Sequence, residues 1–259
     1  MPFGQVVIGP PAAGKSTYCF GVQQFFSQID RPLAIVNLDP ANDNIDYEYK
    51  INICDFIDVS SIMEDESLGP NGALLFAFDW LQLNFDWFLA QLLTFKDHYF
   101  VFDLPGQIEL FTMHPSLRSV LHSLTKHDFR LVCVNLIDSL TCLDPGKFIS
   151  AVLISLVEML HLELPHVNIL SKHDLLTSYE QLPADLSLFL EAMDLSSLVG
   201  YLEKSEQPRK FQHLNLLLAQ LLDDFSLVRF MPLAINDKDM MIEVQEKCDQ
   251  AICYPWPFM

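Results

Sequence analysis

One octapeptide near the start of the chain constrains the fold more than any other feature. Gly9-Pro10-Pro11-Ala12-Ala13-Gly14-Lys15-Ser16 fits the pattern G-x-x-x-x-G-K-[ST]. It lies between an apolar run, Val6-Val7-Ile8, and a stretch with helical spacing from Ser16 to Ser27. Average residue usage gives roughly 0.01 chance matches in a chain of this length. A glycine-rich turn between a buried strand and a helix points backbone N–H groups at an anion, and the helix start adds the positive end of its dipole. Pro11, Ala12, Ala13 and Gly14 would then wrap a β-phosphate. Lys15 would bridge the β- and γ-phosphates, the Ser16 hydroxyl would hold Mg²⁺, and Thr17 would face the α-phosphate. The plain alternative is a glycine turn with a solvated lysine.

The rest of the chain repeats the strand-then-helix order. Apolar runs at 6–8, 33–36, 99–102, 131–137, 167–170 and 228–231 read as strands. Helical spacing covers 115–126, 145–162, 183–224 with breaks at Pro183 and Pro208, and 237–253. Residues 40–70 are polar and acidic and read as short helices and loops, while 72–95 is aromatic-rich and reads as one or two helices. Strands joined by helical crossovers predict an α/β fold: a mostly parallel sheet with helices on both faces. Ligands in such sheets sit beyond the carboxyl ends of the strands. We expect one P-loop NTPase domain over residues 1–259, with a helical insertion at 40–97.

Composition narrows the function classes. Acidic residues number 34 and basic residues 15, a net charge of −19, which argues against a broad nucleic-acid surface. Hydrophobic residues make up 51% and 20 are phenylalanine, enough for a large core. Six cysteines without a Cys-x-x-Cys pair exclude zinc-ribbon and thioredoxin readings and suggest reduced, mostly buried thiols in an intracellular protein. The N-terminus lacks the basic region of a signal peptide. The apolar stretch from Phe148 to Leu160 is interrupted by Ser150, Ser155 and Glu158, so a buried helix is expected and no membrane span.

Further candidates follow the predicted strands. Asp39, in Asn37-Leu38-Asp39-Pro40, is either a carboxylate near a Mg²⁺-bound or attacking water or the cap of a turn. Asp103-Leu104-Pro105-Gly106-Gln107 matches the D-x-x-G of nucleotide switches. Asp103 would hold Mg²⁺, the Gly106 N–H would meet the γ-phosphate, and Gln107 or Glu109 would orient water. Gln107 and Glu109 also suit the first turn of a helix. Three Lys-x-Asp triplets occur, and only Lys172 follows a buried-strand pattern. Ser171-Lys172-His173-Asp174 is therefore the base-reading candidate, with Asp174 accepting from guanine and Ser where Asn or Thr is usual. Its alternative is a helix-capping Asp174 beside a surface lysine.

Taken in order, these motifs resemble the GPN-loop GTPases, a SIMIBI-class family. The tripeptide Gly69-Pro70-Asn71 is present, and further likeness lies in Met63–Asp65, Asn84–Trp87, Lys147–Ser150 and Glu163–Asn168. The resemblance runs from residue 4 to about 253. Phe3-Gly4-Gln5 followed by Gly9-Pro10-Pro11 is most similar to the second of three eukaryotic paralogues. ParA-type relatives carry a lysine where this chain has Pro10.

The resemblance implies a dimeric, Mg²⁺-dependent enzyme hydrolysing GTP, as a homodimer or a heterodimer with another GPN-loop GTPase. It implies that Gly69, Pro70 and Asn71 of one protomer reach the phosphates of the other, and that Asp39, Gln107 and Glu109 organise water and metal. It also implies RNA polymerase II subunits as clients, with a cytoplasmic protein that shuttles to the nucleus and serves assembly and import. The segments 76–88 and 148–160 are candidate dimer surfaces or ordinary core. The rival readings are a P-loop ATPase or kinase and a nucleotide-stabilised binding module with vestigial hydrolysis. No arginine finger stands out among Arg31, Arg118, Arg130, Arg209 and Arg229, so slow intrinsic turnover is expected.

Overall fold

A computed structural model describes residues 1–42, 45–176, 184–202 and 212–255. Seven strands form one sheet: β1 (Phe3–Ile8), β2 (Leu33–Asn37), β3 (Ile51–Asn52), β4 (Tyr99–Asp103), β5 (Arg130–Asp138), β6 (His166–Ser171) and β7 (Phe230–Pro232). Their order is β3-β2-β4-β1-β5-β6-β7, and every pairing is parallel. The chain winds outward on one side of β1 and returns to wind outward on the other. The loop after β1 therefore opens at the point where the winding reverses, where such sheets bind ligands.

Side-chain alternation sends successive residues of each strand into different cores. Val6, Ile8, Phe100 and Phe102 meet the helices α3 (Pro70–Leu83) and α6 (Pro115–Lys126). Val7, Val101, Val132 and Val134 meet α1 (Lys15–Gln28) and α12 (Lys238–Ile252) on the opposite face. A third cluster joins β5–β7 to α7 (Pro145–Leu162), α10 (Leu195–Leu202) and α11 (Gln212–Phe225). In α6, Leu117, Val120, Leu121 and Leu124 recur at helical spacing and are all buried. In α7, Pro145 takes the first position and the Asp144 carboxylate accepts from the N–H groups of Gly146 and Lys147. Among the described residues α7 alone is long and apolar enough to cross a membrane, with mean hydropathy 1.4. Its Phe148, Ile149, Val152 and Leu156 are instead buried in the third cluster.

The expected six strands become seven. β3 is a two-residue edge strand inside the 40–97 segment, too short to leave a periodic signal. That segment is not wholly helical, since β3 joins the main sheet beside β2. Its helices are α2 (Val59–Asp65), α3 and α4 (Phe85–Leu93). The shorter helices are α5 (Ile108–Thr112), α8 (His173–Leu176) and α9 (Leu186–Glu191). The expected breaks at Pro183 and Pro208 lie outside the described residues. Four of the six free cysteines are buried, and Cys54 and Cys253 are exposed.

α12 is fixed by buried polar contacts. Arg31 donates to both Asp249 oxygens at 2.8 Å. Its guanidinium lies 3.9–4.3 Å from the ring centres of Phe26, Tyr99 and Tyr254. Burial pushes the Asp249 carboxyl pKa up and Arg31 pulls it back down. Beside this pair, Gln5 donates to Gln245 at 2.7 Å and accepts from Tyr18 at 2.8 Å, and Gln245 donates to Tyr18 at 2.9 Å.

Two predictions follow from these buried charges. Asp249→Ala leaves Arg31 buried without its carboxylate and is expected to cost about 3–5 kcal/mol in urea unfolding. Glu158 on α7 is 1% exposed, and burial pushes its carboxyl up to about 8. A carboxyl raised on folding stabilises the fold fully below the unfolded value near 4.5 and loses that stabilisation as pH rises through about 8. The wild type should therefore lose a few kcal/mol between pH 5 and 9, on the order of the shift. Thermal melts across that range should be flatter for Glu158→Gln.

Candidate nucleotide site

The loop between β1 and α1 is shaped by contacts with three strands. Gly9 has φ +138°, and a Cβ there would lie 2.2 Å from the Leu136 carbonyl oxygen on β5. Only glycine lets the chain leave β1 so close to a neighbouring backbone. The Ala13 N–H then donates to Pro10 O at 3.2 Å, closing the turn. Lys15 curls back beneath the loop, and its Nζ donates to the carbonyl oxygens of Gly9 at 3.1 Å and Pro10 at 3.2 Å. Burial pushes the Lys15 ammonium pKa down, and the nearby carboxylates Asp103 and Asp39 raise it again in part. Thr17 is exposed on the first turn of α1.

Asp103 ends β4, paired in register with Val7 and with Asn37. Its Oδ2 accepts from Ser16 Oγ at 2.9 Å and from the Tyr47 hydroxyl at 2.8 Å. Its Oδ1 is buried and has no hydrogen-bond partner. Burial pushes the carboxyl pKa up, while the two donors and Lys15 hold it down. The Tyr47 hydroxyl pKa is itself raised far above its ordinary value by burial and by Asp103, so it remains a donor. A buried carboxylate with one uncommitted oxygen beside a serine hydroxyl suits a hard divalent cation. Mg²⁺ takes one or two protein oxygens and completes its shell with phosphates and waters. Among the described residues no cluster of three or more His, Cys, Asp or Glu could hold a metal unaided.

Asp39 is the cap of a turn, as one of its two expected readings had it. Its Oδ1 accepts from the Ala41 N–H at 3.0 Å, which caps the turn. The same half-buried carboxylate acts on Lys15 from across the loop. Asn37 steadies the turn, with Nδ2 donating to Asp39 O at 3.2 Å and to Asn52 Oδ1 at 2.8 Å. Asn42 Nδ2 reaches Ser16 Oγ at 3.4 Å.

The segment after Asp103 presses on the loop. A Cβ on Gly106 would lie 2.9 Å from Lys15 Nζ and from the Pro11 backbone. Gln107 is the N-cap of α5, and Glu109 is exposed in its first turn. Gln107 Nε2 donates to Asn71 Oδ1 at 2.9 Å. Gly69 caps α3, Pro70 takes its first position, and all three residues of the tripeptide are exposed. Asn71 thus lies against Gln107 of the same protomer.

The segment Ser171–Asp174 touches the loop from the other flank. Ser171 Oγ lies 2.7 Å from Ala13 O and 3.1 Å from Ile137 O. Lys172 has φ +56°, and its Nζ donates to Ala12 O and Asp138 Oδ2, both at 2.7 Å. The His173 N–H donates to Leu233 O at 3.1 Å, and Asp174 is exposed in the first turn of α8. Three partners were not singled out in the sequence. Asp138 carried the signal of a strand-end carboxylate. Tyr47 and Asn42 sit in an irregular polar stretch with no spacing to mark them.

A phosphate-type loop at the winding reversal of an all-parallel sheet, with a strand-end carboxylate on its serine, defines an α/β P-loop NTPase. The crystal structure of a GTPase from Pyrococcus abyssi in apo form has the same fold: TM-score 0.75 and 21% identity, over 97% of this chain and 98% of that one. The family model described as "Conserved hypothetical ATP binding protein" matches residues 7–254. GPN-loop GTPase 2 of Danio rerio is 46% identical over 252 residues, 97% of this chain and 81% of that protein. GPN-loop GTPase 2 of Schizosaccharomyces pombe is 46% identical over 257 residues, 99% and 82% respectively. The chain belongs to the GPN-loop GTPase family, and these relatives carry the second paralogue's name.

Tyr47→Phe removes a donor that holds the Asp103 carboxylate ionised. The acid limb of nucleotide binding is expected to move to higher pH, because the ionised form loses a hydrogen bond. A pH series of nucleotide titrations on both proteins checks this.

Proposed function

We propose that the chain binds Mg²⁺·GTP at Gly9–Thr17 and hydrolyses it to GDP and phosphate as a dimeric nucleotide switch. The observation that carries this reading is the contact of Ser171 and Lys172 with Ala13 and Ala12. It sets the base-side motif directly against the phosphate loop. Lys172 acts as a brace, and Asp174 is the acceptor for guanine. The family model's description mentions ATP and the relatives' names mention GTP, so the base is the point to test first.

In this reading Lys15 turns from the Gly9 and Pro10 carbonyls to the β- and γ-phosphate oxygens. Ser16 and Asp103 hold Mg²⁺, which when bound neutralises charge on those oxygens. The Gly106 N–H meets the γ-phosphate. Gln107 and Asp39 orient the attacking water, with Glu109 beside them. Arginine help in cis finds little support at Arg31, Arg118 or Arg130. Arg31 and Arg118 are paired with Asp249 and Glu163, and Arg130 starts β5 at the far end of the sheet. Intrinsic turnover is then slow.

Asn71 stabilises phosphate in the partner protomer's site. Its exposure supports this, and its bond to Gln107 ties it to the segment after Asp103. The partner is a second copy or another GPN-loop GTPase. Family resemblance supports RNA polymerase II subunits as clients, and a cytoplasmic protein that shuttles to the nucleus in their assembly and import.

Titration with fluorescent GTP and ATP analogues, with and without Mg²⁺, tests the site. GTP should bind at least about tenfold tighter than ATP, a difference of ~1.4 kcal/mol. Equal affinity or an ATP preference would transfer the reading to an ATPase or kinase. Lys15→Ala should slow turnover by about 100-fold or more. Unaltered turnover and dimerisation in Asn71→Ala would remove the trans role.

A further inference from the structure

A cavity of about 580 Å³ opens behind the phosphate loop, between β5, α5, α7 and α11. Pro10 and Ile108 form the wall it shares with the loop and the switch segment. On α7, Lys147, Ala151, Ile154 and Glu158 line it at intervals of three or four residues, one face of the helix. Glu158 is almost wholly buried there, and neither of its carboxylate oxygens has a hydrogen-bond partner. Asn135 lines the same cavity from β5. Its Nδ2 donates to Ser155 Oγ at 3.0 Å and Asn168 Oδ1 at 3.2 Å, while its Oδ1 is buried and unpartnered. Three buried oxygens, two of Glu158 and one of Asn135, therefore border one cavity without a hydrogen-bond partner. Native structures satisfy nearly all such atoms, and an unmet group of this kind calls for a ligand, ion or water.

With Glu158 ionised all three unpartnered oxygens are acceptors, and a cationic donor meets them. We propose that this cavity binds an alkyl ammonium or guanidinium group, its cation received by Glu158 and Asn135 and its aliphatic stem lying against Ile108, Ile137 and Ile154. The volume suits a side-chain-sized ligand. The group is carried either by a free small molecule or by a lysine or arginine of another protein. Without a cation, burial keeps the Glu158 proton in place up to about pH 8. Cation binding then releases that proton to buffer. The nucleotide machinery makes no use of Glu158, so this site is independent of the reading given for Gly9–Thr17.

The test is calorimetric titration of the whole chain with n-butylguanidine, n-butylamine, and a short peptide carrying one arginine between apolar residues. n-Pentanol and the citrulline form of the peptide are the neutral controls. Saturable binding of the cations but not of the controls is expected, and Glu158→Gln should weaken it by at least about tenfold, the size of one lost charged hydrogen bond. That variant keeps shape and volume, and thermal melts establish that it is folded. An arginine peptide binding tighter than n-butylguanidine identifies a protein side chain as the natural source, and equal affinities identify a free small molecule. No saturable binding up to about 10 mM, where even a fragment-sized ligand should register, overturns the proposal. Unchanged affinity in Glu158→Gln, or equal binding of the neutral controls, overturns it as well.

Discussion

The rest of the structure depends on how closely β1 is clamped between β4 and β5. That clamp forces the chain to leave β1 at Gly9, against the Leu136 carbonyl. It also sets Asp103 level with Val7 at the same end of the sheet. From there the loop needs no rigidity of its own. Ser16 fastens its helical end to β4, and Ser171 and Lys172 fasten its crown to the end of β6. Ala12 and Ala13 make these contacts through their carbonyls, not their side chains.

Electrostatics at the site are set by burial opposed by a few short bonds. Lys15 and Asp103 are both held away from water, and each limits the other's shift. Tyr47, too weakly acidic to ionise, gives Asp103 a permanent donor and leaves one oxygen uncommitted. Such a site is prepared for a charged ligand, since the solvation it lacks must come from phosphate and cation.

Much of this was legible in the sequence because the motifs are contiguous and each follows a strand. The alternation of strands and helices predicted the parallel sheet, and helical spacing gave α6 and α7 to the residue. β3 was not legible, because two residues carry no period. Tyr47, Asn42 and Asp138 were missed because their roles exist only once strands far apart in sequence are paired. Asn71 illustrates the same limit. Its tripeptide was conspicuous, but the bond to Gln107 spans 36 residues and depends on how α3 and α5 each pack on α6.

The lock on α12 has a consequence for synthesis. Gln5 and Arg31 are made early, but their partners Gln245 and Asp249 come more than two hundred residues later. At ribosomal rates of about 5–20 residues per second, roughly 12–50 s separate Gln5 from its partner on α12. Until α12 emerges, Val132 and Val134 of β5, in the same cluster as Val7, lack their final cover. The nascent chain therefore leaves the ribosome with its nucleotide loop already made and the apolar back of that loop still open to chaperones and to aggregation.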